Sequence, residues 1–245
     1  MLELRGVSKV YGRALALHPT DLSIARGKTT ALIGPSGCGK STLLRIAVGL
    51  VIPTTGTVEF DGEQLGRENI RSIRLRTGYV IQKGGLFPHL TARVNVTLMA
   101  RHLRWSTKRI SERVDELTEL VHLPTACLQR YPRQLSGGEC QRVSIMRALF
   151  LDPDLLLMDE PLGALDPMIR FDLQEELRSI CQKLEKTVIL VTHDMAEASF
   201  FGDSIVLMFS GRIAQHGTMQ DLVNRPANDF VKRFMRAQRG LHEWV

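Results

Sequence analysis

The chain begins with short segments of apolar residues that have the length of β-strands. Leu2, Leu4 and, after a short break, Val7 alternate with polar residues, and a second alternating run covers residues 22–24. A period of two is typical of half-buried β-strands. Residues 29–33 are then mostly apolar and lead into Gly34, which predicts a buried strand that ends in a glycine-rich turn.

Helical spacing dominates the middle of the chain. A helix is predicted over residues 40–48, before a glycine that signals its end. Between residues 110 and 121, apolar residues recur at intervals of three and four with charges between them, and Ser106 or Thr107 is the expected N-cap. We therefore predict a helical insertion over about residues 91–150.

Strand patterns return after the helical insertion. Residues 155–158, 187–191 and 205–208 are continuous apolar runs, with helical spacing between the first two. Such alternation predicts an α/β protein in which helices flank a mainly parallel sheet. The tail, residues 219–245, has an amphipathic helical pattern.

The length of the chain suits one domain. We predict a single domain over residues 1–245. Its core would comprise residues 1–90 and 151–220, its helical subdomain residues 91–150, and its helical tail residues 221–245.

Composition restricts the class of protein. The formal net charge is +6, but the arginines are spread along the chain and aromatic residues are only 6%, so we expect a solvated basic surface and no nucleic-acid partner. Residues 1–6 lack the apolar stretch of a secretory signal, and no apolar run is long enough to cross a bilayer. We therefore expect a cytoplasmic chain that needs partners for any membrane role. The four cysteines are scattered, without the paired spacing of a metal site, and are expected to be free thiols.

The first candidate site is a phosphate-binding loop of the pattern G-x-x-x-x-G-K-[ST]. Its residues are Gly34, Pro35, Ser36, Gly37, Cys38, Gly39, Lys40 and Ser41. Glycines let the backbone turn tightly enough to aim N–H groups at phosphate oxygens, and the N-terminus of the following helix favours negative charge. We expect Lys40 to reach the β- and γ-phosphates of ATP and Ser41 to ligate Mg²⁺, with Thr42 beside them. The alternative is a chance glycine-rich turn.

Two acids end the apolar run 155–158. Asp159 suits Mg²⁺ coordination, and Glu160 suits polarisation of an attacking water. Taken alone, the pair would more often be a solvent-exposed acidic turn. Gln82 follows a strand-like run and is a candidate contact for Mg²⁺ or the lytic water, and His193 ends another strand and is a candidate contact for the γ-phosphate.

Residues 136–141, the Ser136 segment, begin a helix. Ser136 and Glu139 fit the capping box S-x-x-E, which is a purely structural interpretation. With Gly137 and Gly138, the same segment presents free N–H groups and a hydroxyl to an anion. One nucleotide would not use both this segment and the phosphate loop in a compact monomer, so we predict a second subunit.

These motifs, in this order, resemble the ATP-binding-cassette (ABC) ATPases over nearly the whole chain. The resemblance implies a P-loop NTPase fold, with a RecA-like core sheet flanked by helices, an N-terminal antiparallel β subdomain and a helical subdomain. It also implies a head-to-tail homodimer with two ATP molecules at the interface, each between the phosphate loop of one subunit and the Ser136 segment of the other. Tyr11 would stack on adenine, although a strand-packing role is the alternative. Asp166 lies in the loop that contacts the partner, Glu160 is the general base and His193 the switch histidine.

A closer resemblance is to the ATPase subunits of bacterial importers of quaternary amines such as glycine betaine, choline and carnitine. The matching residues are 82 with 85–89, 130–132, 161–167 and 226–231. The resemblance implies transmembrane permease subunits, a solute-binding protein and a peripheral location at the cytoplasmic face of the inner membrane. We expect the apolar turn 86–90 to dock on the permease, with core packing as the alternative. The competing functions are an importer of another small solute and a soluble ABC ATPase that acts on DNA or ribosomes.

Overall fold

The computed structural model describes residues 1–82, 84–163 and 165–239. Its contacts divide the chain into two units, one formed by Met1–Ile73 and Thr187–Val245 and the other by Arg74–Lys186. The predicted division into core, helical subdomain and tail stays a prediction. Residues 240–245 of the predicted tail lie outside the described residues.

The β-strands are numbered in chain order. They are β1 (Leu2–Tyr11), β2 (Ala14–Ile24), β3 (Thr29–Ile33), β4 (Thr55–Phe60), β5 (Glu63–Gln64), β6 (Thr77–Val80), β7 (Leu155–Asp159), β8 (Thr187–Val191), β9 (Ser204–Phe209) and β10 (Arg212–Gly217).

The α-helices follow the same convention. They are α1 (Lys40–Ala47), α2 (Ile70–Leu75), α3 (Ala92–His102), α4 (Thr107–Leu120), α5 (Gly137–Leu149), α6 (Pro167–Lys183), α7 (Met195–Phe201), α8 (Met219–Asn224) and α9 (Asp229–Arg239). Two short 3₁₀ turns, Thr125–Gln129 and Pro132–Gln134, precede α5.

The first unit contains an antiparallel sheet in the strand order β2-β1-β4-β5. The break in alternation after Leu4 is a register shift within β1, at Gly6 with φ +57°, and the strand continues to Tyr11. Residues 2–7 therefore belong to one strand, and the predicted antiparallel subdomain is confirmed.

The first unit also contains the strands around the phosphate loop. β3 pairs in parallel with β8 and with β9, and β9 pairs antiparallel with β10. Apolar side chains of β3 and β9 form a buried cluster with α7, α8 and α9, which includes Ile33, Leu207 and Val231. The two tail helices, over residues 219–224 and 229–239, are thus packed on the sheet and agree with the predicted helical pattern of the tail.

The second unit contains the parallel pair β6 and β7 with helices α3, α4, α5 and α6. The side chains of Leu155–Met158 are fully buried, which explains why this strand reads as a continuous apolar run. Ser106, one of the two expected N-caps, caps α4 by accepting a hydrogen bond from Arg109 N–H. Helices α3, α4 and α5 lie within residues 91–150. Among the described residues, no helix has the length and apolar character that crossing a membrane requires.

Candidate nucleotide-binding site

The phosphate loop connects β3 to α1, and its shape depends on glycine. Gly34 has φ +141°, and a Cβ atom there would lie 2.2 Å from the carbonyl oxygen of Met208. Gly39 has φ +107° and is the N-cap of α1, which has no side-chain cap. The first N–H groups of α1 therefore have no capping side chain, which is the arrangement that suits an anion at a helix N-terminus.

Lys40 is the first residue of α1 and its side chain is buried. Its Nζ donates hydrogen bonds to the carbonyl oxygens of Gly34 (2.7 Å) and Pro35 (3.1 Å). The carbonyl oxygen of Cys38 accepts from Gly211 N–H in the β9–β10 turn at 3.0 Å. These bonds hold the ammonium group inside the concave side of the loop and fix the loop to the next strand pair.

His193 lies at the same strand edge as the phosphate loop. Leu32 of β3 pairs with Val191 of β8 in parallel register, so Gly34 and His193 follow the carboxyl ends of neighbouring strands. The residues beside His193 are fixed, because Thr192 donates to the buried carboxylate of Glu197 at 2.6 Å. The imidazole itself is exposed.

Tyr11 is at the end of β1 and is 47% exposed. The Nζ atom of Lys9 lies 5.2 Å from the centre of its ring, within cation–π distance. Its ring is therefore only partly packed, which leaves a face for stacking and does not favour the strand-packing alternative.

Glu160 and Gln82 are brought together in the second unit. Val80 of β6 pairs with Met158 of β7 in parallel register. Gln82 and Glu160 each follow that pair by two residues, at the carboxyl ends of the two strands. Gln82 Nε2 donates to Glu160 Oε2 at 2.6 Å, and Tyr79 Oη donates to Asp159 Oδ2 at 3.4 Å. Glu160 has φ +46°, a left-handed conformation that is uncommon outside glycine and turns the chain sharply after the strand.

The Ser136 segment forms the predicted capping box. Ser136 N–H donates to Glu139 Oε2 at 2.7 Å, and Glu139 N–H donates to Ser136 Oγ at 3.2 Å. The buried thiol of Cys127 donates to the other oxygen of Glu139 at 3.1 Å, and Arg130 lies 3.9 Å from that oxygen. The hydrogen bond from Ser136 N–H, followed by that from Cys127, lowers the pKa of Glu139 below its ordinary value.

The loop before α6 lies against the start of α5. A Cβ atom on Gly137 would be 3.4 Å from Leu165, and one on Gly138 would be 2.9 Å from Ile169. Asp166 is the N-cap of α6, with no hydrogen bond from its side chain to the helix. Ala164, which the sequence places in the same loop, lies outside the described residues.

Sequence reasoning missed the residues that hold the turn after Gln82. Asn95 of α3 is fully buried, and its Nδ2 donates to the carbonyl oxygens of Phe87 (3.1 Å), Leu90 (3.0 Å) and Thr91 (3.1 Å). Its Oδ1 accepts from Phe87 N–H at 2.7 Å. An amide at an otherwise apolar position of a helix was the available signal.

Two residues of α5 hold the glycines of the same turn. Arg147 donates to the carbonyl oxygens of Gly85 (2.8 Å) and Gly84 (2.9 Å), and Ser144 Oγ also donates to Gly84 O, at 2.9 Å. Burial lowers the pKa of the Arg147 guanidinium from its ordinary value. Nothing local in the sequence connects α5 to this turn.

The predicted site residues are divided between the two units. The phosphate loop, Thr42, Tyr11 and His193 belong to the first, and Gln82, Asp159, Glu160, the Ser136 segment and Asp166 belong to the second. Within each unit the residues have the local geometry described above. Their roles toward a nucleotide stay predictions.

Comparison with known proteins identifies the family. The family described as ABC transporter matches residues 17–163. The chain is 45% identical to the glycine betaine/carnitine/choline transport ATP-binding protein of Bacillus subtilis over 98% of its own length and 63% of that protein's. It is 43% identical to the glycine betaine uptake system ATP-binding protein of Escherichia coli, over 98% of this chain and 79% of that protein.

A solved structure shows the same fold. A dimeric ATP-binding cassette, described in a post-hydrolysis state bound to ADP and phosphate, superposes with a TM-score of 0.81 at 33% identity, over 89% of this chain and 99% of that one. This confirms the predicted fold class. The chain spans less than two thirds of the length of the Bacillus subtilis relative. The match over more than half of its residues, together with the Escherichia coli relative, nevertheless shows that this chain belongs to the ABC transporter family.

Proposed function

We propose that the protein is the ATP-hydrolysing, nucleotide-binding subunit of a bacterial ABC importer. The observation that carries the proposal is the phosphate loop, whose glycines have positive φ and whose carbonyl oxygens at Gly34 and Pro35 hold the buried ammonium group of Lys40. A glycine-rich loop with a lysine at the start of the following helix fits the β- and γ-phosphates of ATP. Tyr11 supplies the aromatic ring for adenine.

Mg²⁺ is the proposed metal ion because it matches the chemistry of its predicted ligands. The hydroxyl of Ser41, the amide oxygen of Gln82 and the carboxylate of Asp159 are oxygen ligands of the kind that Mg²⁺ prefers. When bound, the ion neutralises charge that develops on the phosphates.

Glu160 is the proposed general base. Its carboxylate accepts from the Gln82 amide, which orients the carboxylate without adding charge. Glu160 would take a proton from the attacking water, Gln82 would hold that water, and His193 would contact the γ-phosphate. The chain's contribution is positioning and charge, since phosphoryl transfer requires little covalent chemistry from the protein.

The Ser136 segment is proposed to complete the site of a second copy. Its capping box pairs the Glu139 N–H with the Ser136 hydroxyl, and the exposed Gly137 beside it would present its N–H to an anion. Asp166, whose side chain makes no cap hydrogen bond to α6, is proposed to contact the partner. The working unit is therefore a head-to-tail homodimer with ATP at its interface.

The partners in the membrane are proposed from the turn 84–91. Phe87 is 44% exposed although the backbone of the turn is fixed by Asn95, which is the combination expected of a docking surface. We assign it to the permease subunits, at the cytoplasmic face of the inner membrane, with a solute-binding protein on the other side. Quaternary amines such as glycine betaine or choline are the proposed solutes, because the relatives named above carry those solutes in their names.

Replacement of the general base tests the mechanism. Glu160→Gln keeps the size and the partner of the side chain but cannot accept the proton, so ATP hydrolysis should fall by roughly 10²–10⁴-fold while ATP binding persists. Glu175→Gln, which neutralises an exposed carboxylate of α6, is the matched control and should hydrolyse ATP normally. Near-normal turnover of Glu160→Gln would show that Glu160 is not the base.

A second pair of variants tests the dimer. Ser136→Arg should abolish hydrolysis and leave ATP binding to the monomer intact. Ser106→Arg removes an equivalent N-cap serine from α4 and controls for the loss of a cap. If Ser136→Arg eliminates ATP binding to the monomer, the segment does not act across the interface. Stimulation of the reconstituted importer by different solutes then distinguishes a quaternary amine from another small solute.

A further inference from the structure

A basic surface marks the turn between α3 and α4. Residues 69–111 contain no aspartate or glutamate. At the end of this stretch, five basic residues are exposed around one helix–helix turn, and we refer to them as the basic corner: Arg101, His102, Arg104, Lys108 and Arg109. No acid lies between these five basic residues or in the forty residues of sequence before Arg109, whereas a surface built for solubility alone mixes both signs of charge.

The cations of the basic corner are not used in internal ion pairs. Among the described residues, neither Arg101 nor Arg104 has an acidic partner, and Lys108 has only a long contact of 3.9 Å with Glu112 at a fully exposed position. Exposed pairs of that length contribute little. The positive charge of the corner is therefore available to an external anion.

Helix stability does not explain where these cations lie. Arg101 and His102 are in the last turn of α3, where positive charge is favourable, but Lys108 and Arg109 are in the first turn of α4, where it is unfavourable. Arg109 also occupies the N3 position, at which a glutamate would complete a capping box with Ser106. The first turn of α4 thus loses stability to carry these two charges.

The corner combines its charge with an anchored tryptophan. Trp105 packs against the fully buried ring of Phe150, with ring centres 6.0 Å apart, and the Arg109 guanidinium lies 3.4 Å from the centre of the indole. Met99, in the last turns of α3, is 43% exposed. An indole, an exposed apolar side chain and clustered arginines are the composition of segments that lie at the interface of an anionic bilayer.

We infer that the basic corner binds the anionic headgroups of a phospholipid bilayer. This inference depends on the proposed function in one respect, namely that the permease brings the protein close to a bilayer. α3 begins at the turn assigned to the permease and ends at the corner, about 16 Å away for eleven residues of helix. Contact at both ends of α3 would hold the helical part of the chain against the membrane surface as well as against the permease.

Vesicle binding by the isolated chain tests the inference. In a Trp244→Phe background Trp105 is the only tryptophan, and its emission should shift to the blue with vesicles of equal parts phosphatidylcholine and phosphatidylglycerol, but not with phosphatidylcholine alone. Each removed charge should weaken binding to the anionic vesicles about fivefold. The combined Arg101→Gln and Arg104→Gln variant should therefore bind these vesicles about 25-fold more weakly than the parent. High salt should weaken binding of the parent chain.

A matched variant separates the corner from bulk charge. Lys232→Gln with Arg233→Gln removes two exposed cations from α9, so both double variants lower the formal net charge from +6 to +4. This control should bind vesicles nearly as the parent does. An equal loss in both variants, or no binding of the parent to anionic vesicles, would overturn the inference.

One other outcome would also overturn it. If the corner variant binds vesicles normally but fails to assemble with the permease in detergent, the surface recognises an acidic protein segment and not lipid. Vesicle binding needs no nucleotide, so it is independent of the Glu160 test. ATP hydrolysis measured without vesicles should be unchanged in both double variants.

Discussion

Replacement of Asn95 is expected to lower the free energy of unfolding, because its side chain forms hydrogen bonds with backbone groups of the turn 84–91. In Asn95→Ala, two of the four partners keep another hydrogen bond, since Phe87 O still accepts from Leu90 N–H (3.2 Å) and Thr91 O still accepts from the residue 95 N–H (2.9 Å). Phe87 N–H and Leu90 O lose the partner that Asn95 provides. The damage is therefore concentrated on two backbone groups.

The magnitude follows from those two groups. An unsatisfied buried donor or acceptor costs about 1–3 kcal/mol, and alanine recovers roughly 0.6 kcal/mol through its higher helix propensity. Both groups belong to a partly exposed turn, so each should cost about 1–1.5 kcal/mol, the low end of that range. After the gain from helix propensity, the free energy of unfolding should fall by about 1.5–2.5 kcal/mol, which urea denaturation followed by circular dichroism can measure.

A neighbouring residue supplies the control for Asn95→Ala. Thr97 is equally buried, but its hydroxyl donates to the carbonyl oxygen of Arg93 in its own helix, at 2.8 Å. Thr97→Val keeps the shape of the side chain and leaves no group of the turn unsatisfied, so it should cost about 0.5 kcal/mol or less. If Asn95→Ala costs no more than Thr97→Val, the turn is not held by Asn95.

Three further predictions concern other groups. Hydrogen bonds lower the folded-state pKa of Glu139, so its carboxylate stabilises the fold above the unfolded pKa of about 4.3, and that contribution is lost as the pH falls through the folded value. Glu139→Ala should cost about 1 kcal/mol at neutral pH and less in acid, as measured by urea denaturation across pH, and a cost independent of pH would contradict this. Gly34→Ala drives a Cβ atom into Met208 O and should weaken ATP binding by at least about tenfold in calorimetry, whereas Gly62→Ala, with open space around the new atom, should bind ATP normally; equal affinities would refute the steric argument. Burial raises the pKa of Cys181 to about 12, so this thiol should resist iodoacetamide in the native protein and react in urea, and rapid native labelling seen by mass spectrometry would show that it is accessible.

Contiguous motifs account for most of what the sequence predicted. The phosphate loop and the capping box of Ser136 and Glu139 depend on residues within a few positions of each other, so their local geometry follows from the local sequence. The buried strands β3, β7 and β8 were predictable because continuous apolar runs bounded by turn residues have few other structures available.

The elements that sequence reasoning missed are polar or long-range. β4 and β10 are short strands with polar and glycine residues, and their structure comes from pairing with β1 and β9, not from a pattern of their own. The bonds from Arg147 to Gly84 and Gly85 join residues more than sixty positions apart. Only the folded chain brings such groups together.

The bonds of Arg147 and Ser144 to the turn have a mechanical consequence. α5 begins beside Ser136 and, near its other end, holds the carbonyl groups of Gly84 and Gly85 with three hydrogen bonds. A helix of thirteen residues is a stiff rod of about 20 Å. A tilt imposed at the Ser136 end must therefore displace the turn at the other end, so that α5 acts as a lever within this part of the chain.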